Sequence, residues 1–262
     1  MQASSTNKGP EKAVGSFPMQ TKSLHGSLSY TSVLPKQVLT QRDNQPVLQP
    51  LLSHWSQAQP IAGPEYWATR VWTLIIWQPI YLSICAAHIG GHFVNVKSVS
   101  QCVQDGVVMG YGLDSQAFAA MEKISQSPRQ LLAAIAAPLK ELLDQLYGEL
   151  NGLIKLNKAN AYGLVADCMM HALLALMDAN PKWQQPQIIS LAENWCEQLG
   201  LINLKGQAMS QLVVVKLDNQ QSVLTLDRKA CCKHYLVDPD DLCSSCSRLS
   251  WQQRLLRLNI EA

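Results

Sequence analysis

The chain has 262 residues, of which 47% are hydrophobic, and it carries 21 lysine and arginine residues against 19 aspartate and glutamate residues. That hydrophobic content is sufficient for a folded globular protein with one large domain or two small ones. The formal net charge of +2 provides no broad cationic face. Nucleic acid is therefore not expected as a partner.

The N-terminal residues 1–20 contain no apolar stretch of the kind that forms a secretory signal. We therefore expect a cytoplasmic protein, in which a tight cysteine cluster indicates metal binding or catalysis, because a reducing compartment disfavours disulfides. Residues 1–60 are rich in Ser, Gln and Pro and are expected to form an N-terminal lead-in that is partly mobile.

A long apolar stretch follows. Between Glu65 and Ile75 the apolar residues recur at helical spacing, and from Val71 to Val96 no residue carries a formal charge. This length would suffice to cross a bilayer. A buried helix, or a helix pair broken near Pro79, explains the same pattern and is favoured over a membrane span.

Two short strands are predicted within residues 92–113, joined at Asp105 and Gly106, a dipeptide that favours tight hairpin turns. A helix is predicted over 115–124, with Asp114 or Ser115 as its cap. Another helix is predicted to start at Ser127-Pro128 and to carry leucine and isoleucine at helical spacing. Pro138 should kink it.

Helices are also predicted over 161–180 and over 185–200, where Gly200 is a natural stop. The apolar period then changes to two, which predicts an antiparallel hairpin over 211–228, and a short amphipathic helix over 250–260. The predicted fold class is mainly α with a small antiparallel β part (α+β). A helical body at 61–205 is followed at 206–262 by the hairpin, a cysteine-rich loop and the C-terminal helix.

Half of the eight cysteines lie between residues 231 and 246. Cys243 and Cys246 have the two-residue gap that lets both sulfurs face one metal. Cys231 and Cys232 are adjacent, so in an extended segment their side chains point to opposite faces unless the backbone bends. This arrangement is unfavourable for a structural zinc site, in which all sulfurs must face one ion. A two-iron cluster needs four thiolates and has two separate irons for them to reach. The other cysteines are expected to be core residues: Cys85, Cys102, Cys168 and Cys196.

The segment CCx10CxxC near the C-terminus resembles that of the FhuF-like ferric siderophore reductases, in which four cysteines in this arrangement hold a [2Fe-2S] cluster. Arg228 and Lys229 before the first pair and Tyr235 after it are also similar to that family. The family often has a proline directly after the last cysteine, where this chain has Ser247. The resemblance is specific over about twenty residues, and elsewhere it is limited to length and helical content.

The resemblance implies a reductase whose cofactor is a [2Fe-2S] cluster held by Cys231, Cys232, Cys243 and Cys246, with no catalytic residue beyond the cluster. The substrate would be a ferric siderophore, and the hydroxamate type is favoured. The reduction potential of the cluster would be low, on the order of −400 mV. The sequence contains no dinucleotide fingerprint, so a built-in NAD(P)H or flavin site is not expected. A separate donor protein, such as a ferredoxin or a flavin-dependent reductase, would therefore supply the electrons. Peripheral association with a membrane is compatible with the sequence.

Two other functions fit the same residues: a binding protein stabilised by zinc, and an iron–sulfur electron carrier or sensor without a siderophore substrate. Charged residues surround the cysteines and could tune the potential of a cluster, and the basic ones could dock a partner, but an ordinary solvated loop is the favoured explanation: Arg228, Lys229, Lys233, Asp238, Asp240, Asp241 and Arg248. His234 could donate to a sulfur or simply lie on the surface. His88 and His92 have a spacing that suits a metal, but Gly90 and Gly91 argue against a regular helix there.

Overall fold

The structure is a computed structural model that describes residues 10–35, 38–39, 43–113, 127–203 and 205–261. Within these ranges the α-helices, in chain order, are α1 (Pro10–Leu24), α2 (Gln45–Ala58), α3 (Gly63–Cys85), α4 (Pro128–Leu153), α5 (Lys158–Ala179), α6 (Gln185–Leu199) and α7 (Trp251–Glu261). The strands are β1 (Val38–Leu39), β2 (Val99–Gln104), β3 (Val107–Leu113), β4 (Gln211–Lys216) and β5 (Ser222–Asp227). The fold is mainly α with a small antiparallel β part, as the sequence predicts. The helix predicted over 115–124 lies outside the described residues.

Helix α3 runs through the centre of the protein. Its residues Trp72, Ile75 and Ile80 are fully buried, and the indole N–H of Trp72 donates to the carbonyl of Ala161 in α5 at 2.8 Å. A single hydrophobic core extends from Phe17 in α1 to Ala230, just before the first cysteine pair. The core therefore continues through the N-terminal lead-in, the helical body and the C-terminal part.

Of the two alternatives predicted for this stretch, the structure has the single buried helix and not the helix pair broken near Pro79. Helix α3 continues through Pro79 to Cys85, and a π-helical turn, Ala86–Gly90, ends at Gly91 with a left-handed φ of 62°. A proline inside a helix costs about 3 kcal/mol through a lost hydrogen bond and a steric clash. Here the neighbouring turns of the helix are buried in the core, and that packing offsets the cost. Helix α4 likewise continues through Pro138.

The three-stranded sheet has the order β1-β2-β3 and is antiparallel. The hairpin between β2 and β3 turns at Asp105 and Gly106, which both have positive φ, at 50° and 77°. This is the geometry of the tight turn that the dipeptide predicts. Two side chains of α3 hold the sheet: Trp77 donates to the carbonyl of Val108 at 3.0 Å and Gln78 to that of Gly110 at 2.9 Å.

Several helix ends agree with the sequence signals. Ser127 forms a capping box with Gln130 at the start of α4, and Gly200 ends α6 in the left-handed conformation. Strands β4 and β5 pair in antiparallel register from Gln211↔Asp227 to Lys216↔Ser222, and α7 follows the cysteine-rich loop. The predicted hairpin and C-terminal helix are therefore confirmed.

Two helical stretches in the described part of the chain, Pro60–Gly90 and Lys158–Ala179, are long and apolar enough to cross a membrane. Of their most apolar windows, 67% and 61% are buried inside the protein. Central helices of globular proteins share this length and composition, so these two stretches alone are weak evidence for a membrane protein.

Candidate functional site

The first cysteine pair lies directly after strand β5 and is held by helix α5. The side chain of Asn160 donates to the carbonyl of Cys231 at 3.0 Å and accepts the N–H of Cys231 at 2.9 Å. Both backbone groups of Cys231 are thus satisfied by one amide. Below it, Ala230 packs so closely on Gly163 that a Cβ atom at position 163 would lie 2.8 Å from the Ala230 Cβ. Helix α5 therefore sets the position of the pair.

The bend that adjacent cysteines require is present. Lys233 has a left-handed backbone with φ of 63°, and a 3-10 turn, His234–Leu236, follows it. This turn directs the backbone N–H of His234 at the sulfur of Cys232. Burial raises the pKa of the Cys232 thiol, while the hydrogen bond from His234 and the charge of Arg228 act in the opposite direction. Backbone donors of this kind stabilise a thiolate ligand.

The second pair lies on a tight turn in which the N–H of Cys246 donates to the carbonyl of Cys243 at 3.0 Å. Cys243 is exposed and Cys246 is buried. The loop between the two pairs is braced by Asp238, whose carboxylate accepts the backbone N–H groups of Asp240 and Asp241 at 3.0 and 3.2 Å. One cysteine of the second pair is thus exposed to solvent and the other is buried in the protein.

Arg228 connects the cysteines to the core. Its Nε donates to the carboxylate of Asp167 at 2.6 Å, and its Nη1 lies 3.8 Å from the sulfur of Cys243. Ser210 also donates to Asp167 through a short hydrogen bond. Burial by itself lowers the pKa of Arg228, but the neighbouring Asp167 outweighs it and raises the pKa, so the guanidinium stays charged. A permanent positive charge therefore lies beside the Cys232 and Cys243 thiols.

The other predicted basic residues also have partners within the protein. Lys229 pairs with Asp227 at 2.6 Å, Lys233 pairs with Glu65 at 3.0 Å, and the guanidinium of Arg248 lies 3.8 Å from the ring centre of Tyr235. These contacts shape the loop. Like Arg228, these three basic residues therefore have a structural role that the sequence pattern did not specify.

The histidines differ from the expectations in detail. The ring of His234 lies 3.4 Å from Asp241, and it is the backbone N–H of His234, not its ring, that is directed at a sulfur. His88 lies in the π-helical turn, where its Nε2 accepts the indole N–H of Trp195 at 2.9 Å. Burial lowers the pKa of His88 to about 4, so it is a neutral hydrogen-bond acceptor in the core.

The structure brings Arg228 close to one cysteine of each pair, because its charge interacts with both Cys232 and Cys243. Across the described ranges, however, no three His, Cys, Asp or Glu side chains are gathered closely enough to hold one metal ion. The residues fit a thiolate-ligated group in other respects: four cysteines, a backbone donor at Cys232, and a guanidinium at Cys243. Four thiolates are a ligand set of two-iron clusters and also of structural zinc sites.

Three residues that support this site were missed by reasoning from the sequence: Asn160, Asp167 and Ser210. Asp167 carried a usable signal, because it is a charged residue in the apolar run of α5 and a buried charge requires a partner. Asn160 and Ser210 are ordinary polar residues in the sequence, and only the fold brings them to their partners.

No protein-family profile matches this chain, and no solved structure matches it either. The likeness to ferric siderophore reductases therefore rests on the cysteine spacing and its immediate neighbours.

Proposed function

We propose that the protein reduces ferric siderophores by one electron and so releases their iron as Fe(II), with a [2Fe-2S] cluster as its cofactor. One observation carries the proposal. The two cysteine pairs of CCx10CxxC follow one β-hairpin, with a backbone N–H directed at Cys232 and a half-buried, ion-paired arginine beside Cys243. This arrangement suits thiolates that must carry negative charge in a partly desolvated place.

Cys231, Cys232, Cys243 and Cys246 would hold the cluster. When bound, such a cluster supplies one electron at a time. Arg228 and the N–H of His234 stabilise negative charge on the sulfurs, which favours the deprotonated form that metal ligation requires. The exposure of Cys243 leaves this edge of the site accessible to a partner.

The substrate chemistry needs only one electron. Hydroxamate and catecholate oxygens are hard ligands that hold Fe(III) much more tightly than Fe(II). When the chelated Fe(III) gains an electron it becomes Fe(II), the chelate weakens, and the iron can be taken up by another ligand. We place this reaction in the cytoplasm, favour hydroxamate chelates, and assign the supply of electrons to a separate ferredoxin or flavin-dependent reductase.

The first test is the metal content of protein purified without oxygen. We expect about two iron atoms and two sulfides per chain, with visible absorbance that bleaches on addition of dithionite. Serine in place of any of the four cysteines should remove most of this absorbance. Cys102→Ala is the matched control, because Cys102 lies in strand β2 of the other sheet. A colourless protein that contains one zinc would contradict the proposal.

The second test is the reaction itself. Reduced protein should be reoxidised by a ferric trishydroxamate, with about one Fe(II) trapped by a ferrous chelator for each electron lost. A protein that holds the cluster but does not react with any ferric siderophore would instead be an electron carrier or sensor.

A further inference from the structure

A cavity of about 600 Å³ lies beside the cysteine site, between the end of α1 and helices α3 and α5. Its wall includes His25, Trp77, Tyr81, Cys168, His171 and Arg228. This volume is within the range of small-molecule sites, which are concave and mostly apolar with a few polar groups. The residues that form it come from helices α3 and α5, from His25 just after α1, and from the segment just before the cysteines.

One side of the cavity is a fixed aromatic wall. The ring of His25 lies 5.1 Å from that of Trp77 and 5.4 Å from that of Tyr81, and the Trp77 and Tyr81 rings are 5.8 Å apart. The hydrogen bond from Trp77 to the carbonyl of Val108 holds the indole in place. Rigid rings of this kind bind organic ligands with little loss of side-chain entropy.

Arg228 belongs to both the cavity and the cysteine site. It lines the cavity, and its Nη1 lies 3.8 Å from the sulfur of Cys243. A molecule that contacts Arg228 from inside the cavity is therefore separated from Cys243 by one side chain. The ion pair with buried Asp167 keeps this side chain in position.

The charged side chains that line the cavity do not give it a net positive charge. Asp167 neutralises Arg228, and Asp178 in the cavity wall adds a negative charge. His171 is exposed in the wall, and the surrounding protein together with Arg228 lowers its pKa, so its ring is neutral at pH 7. Such a cavity offers little attraction to a ligand with several negative charges.

We propose that this cavity binds the organic part of the ferric chelate, of low net charge, and brings it against Arg228 next to Cys243. The inference rests on the proposed function, because the chelate is its substrate. It assigns the substrate to a cavity that shares Arg228 with the cysteine site.

Binding can be measured apart from reduction with a gallium(III) trishydroxamate, which has the shape and charge of the ferric complex but cannot be reduced under these conditions. The protein with its cluster is titrated by calorimetry or by quenching of tryptophan fluorescence. Ala175→Trp and His171→Trp should each weaken binding at least tenfold, because both indoles occupy the cavity from α5. Ala133→Trp, at an exposed position of α4, is the control and should bind as the wild type does.

The visible spectrum of each variant reports whether the cysteine site is intact. His171→Trp starts from an exposed side chain, so it keeps the test valid if Ala175→Trp does not fold. Unchanged binding in variants with a normal spectrum would overturn the cavity assignment while leaving the proposed function in place, provided that Fe(II) is still released. Failure of the wild type both to bind the gallium complex and to release Fe(II) would overturn the cavity assignment and the proposed function together.

Discussion

At the scale of single residues, the cysteine site depends on side chains other than the cysteines themselves. Asn160 satisfies both backbone groups of Cys231, and Arg228 links Cys243 to the buried carboxylate of Asp167. Neither contact adds a metal ligand. Both determine where the ligands lie and what charge surrounds them, which is the usual role of residues around a metal site.

Replacing Asn160 should loosen the first cysteine pair. Asn160→Ala removes two hydrogen bonds and leaves the Cys231 backbone without its partners, at a cost of about 1–3 kcal/mol. We expect iron to be lost several-fold faster when the protein is challenged with a chelator. Asn157→Ala is the control, because it removes the cap of the same helix α5 without touching Cys231. Equal rates of iron loss in the two variants would show that Asn160 acts only through helix stability.

Arg228 should raise the reduction potential of the bound cluster, because a nearby cation favours the form that carries the extra electron. Its removal alone would leave the buried carboxylate of Asp167 without its ion-pair partner. The comparison is therefore made between Asp167→Asn and the double variant Asp167→Asn with Arg228→Gln. We expect the double variant to have a potential lower by on the order of 60 mV, about tenfold in the equilibrium constant for one electron. An equal or higher potential in a redox titration would contradict this role.

At the scale of elements, the site is a junction between the β4–β5 hairpin and helix α5. The hairpin leads directly into the segment that contains Cys231. This segment packs on α5 at Gly163, where only a hydrogen atom fits against Ala230. Helix α7 closes the junction from the other side through Arg254, whose Nη1 donates to Asp227 at 3.0 Å and to the carbonyl of Arg228 at 3.2 Å. The cysteine loop is thus anchored at both of its ends.

Gly163→Ala should disturb this junction. In a free helix interior, alanine in place of glycine stabilises by about 0.5–1 kcal/mol. Here the added methyl group would meet the Ala230 Cβ at 2.8 Å, so the segment before Cys231 must move. We expect lower iron content per chain and earlier unfolding in urea. Gly148→Ala in α4 has open space around its Cβ and should keep full iron content with equal or higher stability. A Gly163→Ala protein with normal iron content would rule out the close contact.

At the scale of the whole molecule, one hydrophobic core joins the N-terminal helices, the central helices and the end of the hairpin. Such a protein is expected to lose its helices and its cysteine site in a single transition, because no part of the core is separate from the rest. The cysteine site and the cavity then share the stability of the entire fold.

A matched pair of isoleucines tests this. Ile80 is fully buried in α3, whereas Ile61 is 96% exposed. Ile80→Ala should lower the free energy of unfolding by about 2–5 kcal/mol, and Ile61→Ala should change it by less than about 0.5 kcal/mol. Urea unfolding followed by circular dichroism and by tryptophan fluorescence should give the same midpoint with both probes. Separate midpoints would show that the parts of the chain unfold independently.

The sequence by itself determined the local structure of this protein. Helix caps such as Ser127 and Gly200, the Asp105-Gly106 turn and the change of apolar period before the hairpin all depend on neighbouring residues, so they could be predicted from the chain. The same holds for two features of the cysteine site: the spacing of the four cysteines and the need for a bend after the first pair.

Only the tertiary structure decided the rest. Helix α3 continues through Pro79 because the surrounding core offsets the lost hydrogen bond. Asn160 meets Cys231 across 71 positions of sequence, and Asp167 meets Arg228 across 61. Local patterns carry no information about such pairs, because their distance is set by how the helices and the hairpin pack together. For the same reason, the cavity beside Arg228 is visible only in the folded chain.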